Sequence, residues 1–111
     1  MPQILIPTHI RDQLLANGAK SAAGEDIDPV PIVKLFTPDT NASWLLTELD
    51  PENPTIAFGL ADLGLGCPET GSVSIEEIAS VRGPRGLAVE HDEHYVKTRP
   101  FIVLAQLARR A

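Results

Sequence analysis

Three sets of side chains carry groups that could do chemistry. His91 and His94 bracket Asp92 and Glu93, with Glu90 just before them, and zinc accepts imidazole and carboxylate ligands. The spacing argues against a metal. The H-E-x-x-H pattern needs histidines at i and i+4 on one helical face, whereas these stand at i and i+3 on a segment without a helical stripe. On a strand, residues three apart face opposite sides. The segment reads as a turn with two exposed histidines, and no metal is assigned.

The second set is Glu48, Asp50 and Asp62. If the strands carrying them pair, these carboxylates could converge at one end of a hairpin, as a magnesium site or a glycosidase pair requires. That is the basis for one reading of the chain, a small metal-dependent hydrolase, with His94 as a further participant. The third is Cys67 in Gly-Cys-Pro, which would need an activating base and an oxyanion hole to act as a nucleophile. A lone cysteine is more commonly a small buried hydrophobe. The neighbouring Gly64-Leu65-Gly66 lacks both the third glycine of a dinucleotide loop and a Gly-Lys-Ser/Thr, and Glu69 would repel phosphate. No catalytic residue and no cofactor is expected.

Charge is distributed unevenly. The chain has 111 residues and a formal net charge of −6. Residues 35–81 hold no Lys or Arg and eight acids: Asp39, Glu48, Asp50, Glu52, Asp62, Glu69, Glu76 and Glu77. With no local cation to neutralise them, these carboxylates should face water or a positive partner surface. An anionic face attracts basic proteins and repels nucleic acid. Its simplest service is solubility; its specific one is binding, and Asp39, Glu48, Asp50, Glu52, Asp62 and Glu69 are the candidate partner-binding residues. The cations cluster at the other end of the chain, in Arg82, Arg85, Lys97, Arg99, Arg109 and Arg110. They support a third reading, a DNA-binding accessory factor, although Tyr95 and Phe101 are their only aromatic companions.

The elements that must position these groups follow from pattern. At 43% hydrophobic and 22% charged, the composition is that of one ordinary globular domain over residues 1–111. One cysteine precludes an internal disulfide. Met1 to Ile10 has no basic run and carries Pro2 and Pro7, unlike a signal peptide, and no apolar run could cross a bilayer. A cytoplasmic protein without membrane contact is expected.

Thr8 can cap a helix through Ile10, Leu14 and Leu15 that stops at Asn17-Gly18, leaving residues 19–31 as an exposed connection. Strands follow at Ile32–Phe36, Ser43–Leu49 and Thr55–Leu63, the last two joined by the proline-rich Asp50–Pro54 loop. Alternation puts Trp44, Leu46 and Glu48 on one face and Leu45, Thr47 and Leu49 on the other. Trp44, Leu46, Phe58 and Leu60 are the expected core, and Ala57, Gly59 and Ala61 form a small-residue face on which a helix could lie. Gly64 to Gly71 reads as a loop. Ser74 and Glu77 then form a capping box, with Val73 and Ile78 as its staple, opening a helix to about Val81. Leu87–Val89 suggests a short strand, and Thr98 and Pro100 open a last helix through Ala108 to Arg109-Arg110. The expected fold is α+β, a three- to four-stranded antiparallel meander with about three helices.

Several of these segments together resemble a known family. Leu14–Gly18, Pro31–Asp39, Trp44–Pro51, Phe58–Gly64 and Arg82–Pro84 are similar to a bacterial family catalogued only as a domain of unknown function, number 2958. The resemblance spans nearly the whole chain, with departures at Ala61, Ser72 and His91, where cysteine, tyrosine and arginine are frequent. It implies no activity. What it does imply is an accessory protein of plasmids and integrative elements, near partition, antirestriction and DNA-modification genes. Taken with the charge layout, the expected function is a non-enzymatic acidic module that binds a basic protein surface. An inhibitor of host restriction or CRISPR defence, mimicking DNA, fits that description.

Overall fold

The computed structural model describes residues 5–25, 30–63 and 69–95. In chain order the elements are α1 (Thr8–Ala22), β1 (Val33–Phe36), β2 (Ser43–Leu49), β3 (Ile56–Asp62), β4 (Glu69–Ser74), α2 (Ile75–Ser80) and β5 (Glu90–His91). The five strands form one antiparallel sheet in the order β4-β3-β2-β1-β5. The α+β class and the meander are as expected. There are five strands rather than three or four, and two helices among the described residues. The expected helix from Thr98 to Ala108 lies outside them.

In β1, Val33 and Leu35 are buried while Lys34 and Phe36 are half-buried, the alternation of a strand with one face on the core. Their cross-strand neighbours Leu46 and Trp44 continue that face into β2. The register between β2 and β3 then breaks: Leu46 pairs with Gly59, but Glu48 pairs with Phe58, so Thr47 is the extra residue of a β-bulge. The bulge reverses the alternation beyond it. Leu49, not Glu48, joins Trp44 and Leu46 in the core, and Glu48 falls on the face of Leu45. Thr47 Oγ1 secures the bulge by donating to the Phe58 carbonyl at 3.1 Å.

Leu14 of α1, Ile78 of α2, Ile6 and Val89 complete the core around Val33, Leu35, Trp44, Leu46, Leu49 and Ala57. Each fully buried leucine contributes about 1.5–3 kcal/mol, which fixes the helix to the sheet. The small face at Ala57 and Gly59 belongs to the core side, and the strand against which α1 chiefly packs is β2. The expected core set needs correction. Phe58 is 41% exposed, and Leu60 is buried against Leu45 in a separate cluster on the opposite face of the sheet.

Other local expectations also shift. No side chain caps α1, whose N-cap position is Pro7. The helix passes through Asn17 and Gly18 and stops where Gly24 takes φ of 82°. Gly18 serves close packing instead of a helix stop: α1 lies so close to the sheet that a Cβ there would collide with the Leu49 carbonyl. β4 begins inside the stretch read as a glycine loop, paired with β3 from Ala61↔Glu69 to Ile56↔Ser74. The α2 cap is as expected, with Glu77 N–H donating to Ser74 Oγ at 3.2 Å. Near the end, Ala88 bridges Arg82 and the strand proper is Glu90–His91 against β1.

Candidate functional site

The β2–β3 turn is built by its own polar residues. Asp50 Oδ1 accepts the Glu52 N–H at 2.9 Å, an Asx turn that fits a segment barred from the ladder by its prolines. Thr55 Oγ1 donates to Asn53 Oδ1 at 2.7 Å, and Asp50 N–H donates to the Ile56 carbonyl at 2.9 Å to close the hairpin. α2 starts beside this turn, since Ile75 N–H donates to the Thr55 carbonyl at 2.8 Å. Glu48, Asp50, Glu52, Glu76 and Glu77 are thereby gathered at one end of the sheet.

The last turns of α1 approach the same end. Asn17 Nδ2 donates to the Thr47 carbonyl at 3.0 Å, and Gly18 sits against Leu49 and Pro51. Between helix and hairpin lies an open groove of about 550 Å³, whose lining includes Ser21, Glu48, Asp50, Phe58 and Ser72. Two carboxylates and two hydroxyls give the groove a polar, anionic lining that suits a cationic group. The signal for Phe58 is weak in sequence, where its alternation with Ile56 and Leu60 reads as core. The bulge that pairs it with Glu48 is visible only in the register.

The six candidate residues do not form one surface. Glu48, Asp50 and Glu52 come together, whereas Asp62 pairs with Ser43 and Glu69 with Ala61 at the opposite end of the sheet. Asp39 is also at that far end and has a structural task. Its Oδ2 accepts the Arg85 N–H at 2.7 Å, and its carboxylate is packed on the α-carbon of Gly83. Glu48, Asp50 and Asp62 consequently do not converge, because Asp62 stands four positions along β3 from Phe58, the neighbour of Glu48.

His91 pairs with Leu35 at the sheet edge, and the His94 N–H donates to Asp92 Oδ1 at 2.9 Å in the turn that follows. No group of three or more His, Cys, Asp or Glu residues suited to a metal occurs among the described residues. Arg82 is spent on its helix end, donating to the carbonyls of Ala79 and Val81 at 2.9 Å each. Cys67, Gly64-Leu65-Gly66, Lys97, Arg99, Phe101, Arg109 and Arg110 lie outside the described residues. No described helix is long and apolar enough to cross a membrane.

The model of the family described as "Protein of unknown function (DUF2958)" matches residues 5–111. The chain belongs to that family. No curated protein and no solved structure matches it. For this DUF2958 member, the functional reading therefore rests on the site itself. The match takes in α1, the hairpin and α2 together, so the acidic end and the groove both fall within the family's domain.

Proposed function

We propose that this DUF2958 protein is a non-enzymatic binding module that offers its acidic hairpin end to a basic protein surface. The observation that carries the proposal is the gathering of Glu48, Asp50, Glu52, Glu76 and Glu77 around one turn, within a span that has no Lys or Arg. Glu48 and Asp50 stand two residues apart, roughly 7 Å along the chain, on a turn stiffened by Pro51 and Pro54. Asp50 is held by the Glu52 N–H and so loses little entropy on binding, and the field of the group speeds encounter with a cationic partner. Asp62 and Glu69 stand at the far end of the sheet on opposite faces, and Asp39 belongs to the fold.

A basic surface that normally holds DNA is the partner that such an array suits. In a bacterial plasmid or mobile element, an inhibitor of a host restriction or CRISPR protein in the cytoplasm would have this character. The hydrolase reading retains Glu48 and Asp50 but loses Asp62 from its site. The DNA-binding reading retains Arg85 and the cations after residue 95.

The test is affinity capture from the native host with the wild-type chain and with the triple variant Glu48→Lys, Asp50→Lys, Glu52→Lys. The variant should lose a partner that wild type releases at raised salt. Equal capture by both would overturn the proposal. Stabilisation by magnesium or zinc would favour the hydrolase, and salt-sensitive retention on duplex DNA would favour the third reading.

A further inference from the structure

We propose that an apolar notch beside the acidic hairpin end seats one large apolar side chain of the partner, carried on a segment whose arginines or lysines lie against Glu52, Glu76 and Glu77. This rests on the reading of the acidic end as a receptor for a basic protein, and it specifies the anchor by which that protein is held.

Three observations carry it. First, the fold leaves a hollow where three elements meet. α2 starts at the hairpin turn, its Ile75 N–H donating to the Thr55 carbonyl at 2.8 Å. Leu5 and Ile6, just ahead of α1, come up against α2 and that turn, and an open notch of about 270 Å³ lies between them. Leu49 and Ile6, 1% and 7% exposed, belong to the core. Leu5, Pro54, Ile75 and Ala79 complete an apolar lining that has no side-chain hydroxyl or amide.

Second, size selects the class of occupant. Small-molecule sites enclose about 300–1,000 Å³, and an apolar cavity of about 150 Å³ already accepts benzene. The notch falls between these, with room for one leucine, methionine or aromatic side chain and too little for a metabolite.

Third, charge around the notch selects what bears that side chain. Glu76 stands on the rim and Glu77 follows it, and the turn that contributes Pro54 carries Asp50 and Glu52. Arg11 is the one cation of the lining. A segment that crosses the notch toward the hairpin therefore meets four carboxylates and one guanidinium. An apolar anchor in a pocket, surrounded by polar contacts, is the arrangement in which interfaces concentrate their affinity, and the surrounding charges choose the partner. A second copy of this chain, with net charge −6, would bring like charges together and is disfavoured.

The test uses the full chain and a blocked nine-residue peptide with leucine at its centre and arginine at every second position on either side. Two analogues replace the leucine by serine, or every arginine by glutamine. The parent peptide should shift the amides of Ile75, Glu76 and Ala79 in NMR spectra. It should bind roughly tenfold more tightly than the serine analogue, the order expected from burying one leucine. Ala79→Leu fills the notch from an exposed position of α2 and should abolish that preference, with an unlowered midpoint of urea unfolding as the check on folding. Equal binding by the leucine and serine peptides would overturn the anchor while leaving the acidic reading intact. Equal binding by the parent and its glutamine analogue would overturn the basic partner, and with it the reading on which the anchor rests. Nuclear Overhauser contacts from residues 1–4 to Ile75 in the free chain, or self-association through the notch seen by sedimentation, would give the notch another occupant and overturn the proposal.

Discussion

Asp39 and Arg85, 46 residues apart in sequence, are joined by a 2.7 Å hydrogen bond from the Arg85 N–H to Asp39 Oδ2. The bond locks the β1–β2 turn onto the Gly83–Gly86 turn, which is itself closed by Gly86 N–H donating to the Gly83 carbonyl at 2.9 Å. Asp39 Oδ1 is buried without a hydrogen-bond partner against Gly83, where a Cβ would overlap the carboxylate. An acid read as a binding residue is thus a latch. A charge-assisted bond to a backbone N–H contributes about 1.5–3 kcal/mol.

Gly83→Ala should destabilise the chain by about 1–3 kcal/mol, because overpacking forces the latch open. Asp39→Ala should cost a similar amount. In the double variant the new methyl no longer meets a carboxylate, so the two losses should fall short of additivity by at least about 1 kcal/mol. Urea unfolding of the four proteins measures the coupling. Full additivity would mean that the two turns are not locked to each other.

Gly18 tests the seat of α1 through the sign of one substitution. Replacing glycine by alanine inside an exposed helix normally stabilises by about 1 kcal/mol. Here the added Cβ meets the Leu49 carbonyl and Pro51, so the expected outcome of Gly18→Ala is destabilisation. The midpoint of denaturant unfolding should fall. Gly24→Ala should also destabilise, for a different reason, since φ of 82° is unfavourable for alanine. A rise in stability for Gly18→Ala would show that the helix does not press on the sheet.

Tyr95 supplies a pH dependence with a clean probe, because it is the only tyrosine. Burial raises its pKa above the ordinary 10.0, and its hydroxyl donates to the Pro31 carbonyl at 3.2 Å. The folded chain therefore holds this proton to higher pH than the unfolded chain. The contribution of Tyr95 to stability should be constant below pH 10 and should be lost as pH rises from 10 through the folded pKa. Tyr95→Phe should remove that part of the alkaline slope at a cost of about 1 kcal/mol for the lost bond. Ultraviolet titration of the phenol should give a midpoint above that of the denatured chain. An equal midpoint would contradict the burial.

Some of this architecture is local and was legible from residues alone. Ser74 with Glu77 marks the start of α2 because a hydroxyl three residues ahead of an amide can reach it without any tertiary help. β2 begins at Ser43 and ends at Leu49 as β-favouring residues bounded by turns dictate, and the two prolines end the hairpin strands. The excess of carboxylates in the middle of the chain is likewise a property of composition. The family resemblance, too, is carried by contiguous segments, and the match over residues 5–111 agrees with it.

The placement of the candidate site is another matter, because register and approach are relations between segments. The Thr47 bulge moves Glu48 away from Trp44 and Leu46 and sets it beside Phe58, which no alternation within β2 could reveal. Asn17-Gly18 has the chemistry of a helix stop, yet the helix runs on to Ala22, and the glycine serves the close contact of α1 with Leu49. β4 is poor in β-favouring residues and exists because the edge of β3 offers it hydrogen bonds. Asp39 and Glu48 are both acids in a cation-free stretch, and only the folded chain makes one a latch and the other part of a groove. Sequence determined the helix cap, the hairpin strands and the sign of the charge, all set by near neighbours. Tertiary structure decided which carboxylates meet, since antiparallel strands send successive turns, and the acids on them, to opposite ends of the sheet.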